Sequence, residues 1–171
     1  MADSRAALRL TGILASYGRF HRDPRNRLTH YFGVPAIIYA VLVPLALPLG
    51  NFAGVPLRPD RIVVALAALG YLSLDLPLGS VLTLVLALLA AAAEATSPAL
   101  GTTIALAVAA TVFVLGWALQ LLGHRLEGNR PALLTNLAQI FVAPMFLLTE
   151  LTFSLGLRRK LRGDIARQLL T

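Results

Sequence analysis

Apolar residues fall in long blocks along this chain, and the polar residues gather at the block edges. From Ser4, a predicted N-cap, apolar positions recur at Ala6, Leu10, Ile13, Leu14, Tyr17 and Phe20 with Arg5, Arg9 and Arg19 between them. That spacing predicts an amphipathic helix lying in a membrane interface. A second helix is predicted to begin at Asp23-Pro24, where Asp caps and Pro occupies the first turn without losing a bond. On it Asn26 and His30 share one face. The first predicted span covers residues 31–49, and Pro35 is expected to kink its approach to the membrane. Residues 50–60, with Gly54, Pro56 and Pro59, are predicted to form a loop.

Two apolar segments follow, 62–74 and 78–95, separated by Asp75, Pro77 and Gly79; the first is short for a span. After a predicted break at Ser97-Pro98, residues 100–122 form the clearest span, ending in Gly123-His124. Gly128 reads as a helix stop and Pro131 as the first residue of the next helix. The last apolar segment, 132–157, is interrupted by Asn136, Gln139, Pro144 and Glu150, and a basic tail follows from Arg158.

Composition turns these blocks into a class. With 171 residues, 57% hydrophobic and only 13% charged, and a mean hydropathy of +0.76, the chain is far too apolar for a soluble domain, where about 25% charged is typical. The expected fold is all-α, an integral membrane helical bundle of four to five membrane helices in a single domain, 1–171. An N-terminal amphipathic interfacial helix and a re-entrant last segment complete it. The net charge of +7 belongs to the ends and loops, since no Lys or Arg occurs in 62–124. Arginines beside a bilayer face anionic lipid, so nucleic acid is not the expected partner. The N-terminus, broken by Arg9 and Arg19, does not read as a cleaved signal peptide, and an Ala-, Leu- and Arg-rich chain fits a bacterial inner membrane, or the endoplasmic reticulum if the source is eukaryotic.

The positive-inside rule places the N-terminal arm inside. Four crossings then return the chain to the inside at His124, the side that also holds His21 and His30. A fifth full span would put the basic tail outside. The last segment is therefore read as two half-helices bent near Pro144, which bring Glu150 back to the same face.

Without cysteine, a metal here must use His, Asp, Glu or water. Trp117, Gln120, His124 and Glu127 are spaced by three and four and share one helix face. Imidazole and carboxylate suit iron, manganese or zinc, and Asn26 or Gln120 can orient a ligating ring. The bland reading stays open beside this one: histidines near an interface often only cap helices, and Glu150 with Asn136 can be helix-helix glue. No P-loop, GxGxxG or nucleophile elbow occurs.

Two segments carry a resemblance. Tyr17-x3-His21-x4-Asn26-x3-His30-x2-Gly33-Val34-Pro35, and Trp117-x2-Gln120-x2-Gly123-His124-x2-Glu127-x3-Pro131, continued by Asn136, Ala143-Pro144-x-Phe146 and Glu150, resemble the Mpo1-like family of 2-hydroxy fatty acid dioxygenases. Leu121 and Leu122 depart from positions often aromatic in that family. The resemblance implies an Fe(2+)-dependent alpha-oxidation in which a 2-hydroxy fatty acid and O2 give a fatty acid one carbon shorter. It implies His21, His30 and His124 as iron ligands, with Glu127 a fourth ligand or a partner behind them, and Tyr17 beside them. Arg25, Arg27, Arg125 or Arg130 would suit the substrate carboxylate. Two alternatives stand against this: a different metal-dependent lipid-modifying enzyme, and a non-enzymatic lipid-binding or scaffolding membrane protein.

Overall fold

A computed structural model describes residues 2–128 and 139–170; Arg130, Pro131 and Asn136 lie outside them. Helix α1 (Ala2–Gly18) leads into a short turn that Asp23 ends by capping α2 (Pro24–Leu45), its carboxylate accepting from the Arg25 N–H at 2.8 Å. α2 runs through Pro35 and Pro44 without a break. The turn carrying His30 and the first span are thus one continuous helix, not two elements.

The predicted loop at 50–60 closes as a hairpin. β1 (Gly50–Phe52) pairs antiparallel with β2 (Val55–Leu57) around Ala53 and Gly54, whose φ values of 50° and 80° suit the two-residue turns that match strand twist. Helices α3 (Pro59–Leu74) and α4 (Leu76–Leu100) meet at Asp75, which caps α4 through the Leu78 N–H at 3.0 Å. The predicted break at Ser97-Pro98 falls three residues later. Pro98 sits inside α4, and the stop comes at Gly101, whose φ of 81° disfavours a side chain. α5 (Thr102–Glu127) ends as expected on a left-handed Gly128.

α2, α4 and α5 are long and apolar enough to cross a bilayer. α3 has 16 residues, roughly 24 Å at 1.5 Å per residue against a hydrocarbon core of ~30 Å, yet it connects the hairpin end of the bundle to the Asp75 end. Leu66, Leu69, Leu84, Leu88, Val114 and Leu115 are 59–64% exposed. So many large apolar side chains in the open fit lipid contact rather than water. All this defines an all-α integral membrane bundle.

α6 (Gln139–Ser154) differs from expectation in one respect. Pro144 lies inside it, and the bend comes after it: α6 and α7 (Arg159–Leu170) meet at 117° across residues 155–158, where Gly156 and Arg158 take φ values of 73° and 54°. A proline removes one helical bond, whereas two left-handed residues reverse the chain. Along α6 the Phe141 carbonyl accepts from Tyr71 at 2.9 Å, the Leu147 carbonyl accepts from Tyr31 at 3.2 Å, and Glu150 pairs with Arg27; just beyond it Arg158 pairs with Asp75. Every one of these partners sits at the end where α2 begins and α3 finishes. α6 therefore lies obliquely across that end, and α7 packs back on α1.

Cysteines at Arg22 and Lys160 are expected to label from the same side of the membrane and a cysteine at Asn51 from the other. Labelling of position 160 from the side opposite position 22 would rule out the capping arrangement of α6 and α7.

Candidate metal centre

The histidines are positioned by a close helix contact. α2 and α5 form the most extensive helix pair, and glycines make their approach possible. A Cβ on Gly33 would stand 2.9 Å from Gln120 Nε2 and 3.0 Å from the Gly116 carbonyl; one on Gly116 would stand 2.8 Å from Ile37 Cγ1. One on Gly123 would collide with Asn26 Oδ1 and Thr29 Oγ1. Small residues at a membrane helix crossing let backbones meet in this way. His30, one turn beyond Asn26, therefore faces His124, one residue beyond Gly123.

The third histidine is drawn in by Glu127. Its carboxylate accepts from the Arg22 N–H at 2.5 Å, from the Asp23 N–H at 3.3 Å and from the Asn26 side-chain amide. The end of α5 is thereby tied to the turn carrying His21. Tyr17, one turn back on α1, stacks on the His21 ring with centroids 4.0 Å apart and planes within 6°. Phe146 of α6 closes over both rings.

His21, His30 and His124 are 2%, 2% and 5% exposed, and each offers a ligand atom within 4.8 Å of the other two. Tautomers follow from the backbone. His21 Nδ1 lies 3.0 Å from the Tyr17 carbonyl and His30 Nδ1 lies 2.8 Å from the Asn26 carbonyl. A carbonyl only accepts, so both Nδ1 atoms carry hydrogen and both Nε2 atoms present lone pairs. These two Nε2 atoms are 3.2 Å apart. Burial pushes the His21 pKa down to about 4, so at neutral pH it supplies no proton to bridge them. Nearby, His124 Nδ1 is buried with no hydrogen-bond partner among the described residues. Two facing lone pairs and an orphaned imidazole nitrogen fit a cation at their centre.

The cluster heads a cavity of about 360 Å³. Below His30 its wall is the α2 stripe Val34, Ile37 and Val41, opposed by Phe113 and Trp117 of α5. His30 to Val41 spans roughly 16 Å along the helix. Gln120 lines the same cavity, and its Nε2 is buried without a partner among the described residues.

The other expected site residues fall elsewhere. Glu127 is engaged with the turn and lies outside the three-histidine group. Arg25 is exposed and pairs with Asp23 at 2.9 Å, Glu150 is held by Arg27, and no described arginine lines the histidine cavity. Sequence reasoning gave no site role to Phe146 or Gln139, nor to the α2 stripe. The stripe was readable in the spacing 30, 34, 37 and 41; the other two depend on how α6 folds over the site.

A membrane bundle with a buried three-histidine centre opening into an apolar cavity is the class that fold and site define. Residues 9–155 match the family described as 2-hydroxy-palmitic acid dioxygenase Mpo1-like, and the chain belongs to that family. No curated protein and no solved structure matches it.

Gly123→Ala is expected to lower stability by about 1–3 kcal/mol, because its methyl has no space between Asn26 and Thr29. Gly70→Ala, at a helical glycine with nothing within 4 Å of the added atom, is expected to be neutral or to stabilise by up to about 1 kcal/mol. Thermal unfolding of the two variants in detergent checks the contrast.

Proposed function

We propose that the protein is an iron(II)-dependent dioxygenase that shortens 2-hydroxy fatty acids by one carbon. The observation that carries this reading is the pair of Nε2 lone pairs held face to face at 3.2 Å beside an unpartnered His124. The family description supplies the reaction class. O2 chemistry at a metal draws on an ion that changes oxidation state, which zinc does not, so iron is the reading for this donor set.

His21, His30 and His124 would hold the ion, and an iron(II) ion so held supplies Lewis acidity and one-electron chemistry towards O2. The Tyr17 and Asn26 carbonyls keep Nδ1 protonated and each Nε2 free. Glu127 is a positioning residue that fixes the turn against α5. The apolar walls below the histidines take the acyl tail and exclude water, and the unpartnered Gln120 amide donates to an oxygen of the headgroup.

The stoichiometry closes without an outside reductant. In the 2-hydroxy acid the bond between the carboxyl carbon and the hydroxyl-bearing carbon breaks. The carboxyl leaves as CO2, the hydroxyl-bearing carbon becomes the new carboxyl, and O2 takes the four electrons, so that one water is also formed.

His30→Ala and His124→Ala are each expected to lose both bound iron and formation of the shortened acid; a fully iron-loaded, active double alanine variant would remove the metal assignment. Glu127→Gln separates positioning from ligation. As a positioning residue it should leave iron bound with affinity about 10–100-fold weaker, whereas complete loss of iron at unchanged thermal stability makes Glu127 a ligand.

A further inference from the structure

The histidine cavity has a larger neighbour. A groove of about 890 Å³ lies on the other side of α6, walled by Gly12 and Ile13 of α1, Ala67 and Gly70 of α3, and Val142 and Met145 of α6. α6 is a partition one helix thick: Ile140 and Ala143 face the histidine cavity, while Val142 and Met145 face the groove. Gln139 is the first described residue of that partition. Gln139 lines both hollows, and its Oε1 is buried with no hydrogen-bond partner among the described residues.

The groove wall is mostly apolar. The Tyr71 hydroxyl on that wall donates to the Phe141 carbonyl. Leu66 and Val63 line the groove and are 64% and 42% exposed, so its mouth opens on the side of the bundle that faces lipid. A long-chain acid resides in the bilayer with its tail in hydrocarbon. A path through water would expose every methylene, whereas a lateral path keeps the chain dry.

We propose that the groove between α1, α3 and α6 is the portal by which a single-chain carboxylic lipid passes from the membrane into the histidine cavity, with Gln139 at the threshold. The buried Oε1 is the acceptor that a hydroxyl on the passing headgroup can satisfy. This rests on the reading of the histidine cavity as an acyl site.

The chain supplies its own reporter and its own plug positions. Trp117, its sole tryptophan, lines the histidine cavity and not the groove. A Cβ at Gly70 meets nothing within 4 Å, and one at Gly12 meets only Gln168 Oε1 at 3.8 Å. Both glycines line the groove, and a Cβ at either position is accommodated without a close contact. Gly163 on α7 is equally open and lies outside the groove.

The experiment uses metal-free protein in phosphatidylcholine nanodiscs, with a 2-hydroxy fatty acid brominated in mid-chain as quencher of Trp117. Brominated phosphatidylcholine gives the background from bilayer lipid. Quenching above background is expected for the wild type. Gly70→Phe and Gly12→Phe should slow it at least tenfold, and Gly163→Phe should keep the wild-type rate, all with unchanged thermal stability; either groove variant suffices if the other does not fold. Wild-type rates in the groove variants would overturn the portal and leave the acyl cavity standing. Absence of quenching in the wild type would overturn both, independently of any iron measurement.

Discussion

Gly33 on α2 and Gly116 and Gly123 on α5 let two membrane helices meet closely, with Gln120, Ile37, Asn26 and Thr29 packed directly against the glycines, and the placement of the histidines depends on that approach. His30 and His124 are each within one turn of such a contact, so any residue that spaces the helices apart also spaces the rings apart. Glu127 extends the same constraint to His21 by holding the turn that joins α1 to α2. The cost of burying three imidazoles is thereby met by packing that the bundle already makes. In lipid, where apolar burial between helices gains little, close van der Waals contact and buried hydrogen bonds carry this load.

Charge is managed at both ends of the bundle. Glu94 pairs with Arg58 and Arg61 at the hairpin end, while Glu150 with Arg27 and Asp75 with Arg158 close the other. The last two pairs fasten α6 and the start of α7 over the histidine end. α6 therefore does two jobs. It roofs the centre with Phe146, and it divides the histidine cavity from the groove beside it.

Much of this was legible from residue order alone. Long apolar blocks gave the spans; Asp23-Pro24 and Gly128 gave helix boundaries that hold; and the face shared by Gln120, His124 and Glu127 is the face turned to α2. Local rules failed where the tertiary environment decides. Proline predicted a break at 97–98, but the helix runs on to Gly101 because one lost backbone bond is tolerable where the φ of a following glycine sets the stop. Pro144 likewise drew the predicted bend away from Gly156 and Arg158. The hairpin at 50–57 was read as a loop because three-residue strands carry too few positions to show alternation. Two of the arginines expected near a headgroup turn instead to carboxylates: Arg25 to its neighbour Asp23, and Arg27 to Glu150, the second a pairing that depends on how α6 lies and that no spacing along the chain reveals.

On the proposed function His21, His30 and His124 jointly hold one redox-active metal ion that acts on a 2-hydroxy acid. Iron content and product formation measured in one preparation test it most directly. About one iron per chain is expected and, under air with a 2-hydroxy fatty acid, the acid one carbon shorter, with both lost together on His21→Ala. Wild-type protein that forms the product without bound metal, or that keeps its iron when His21 is removed, would contradict it.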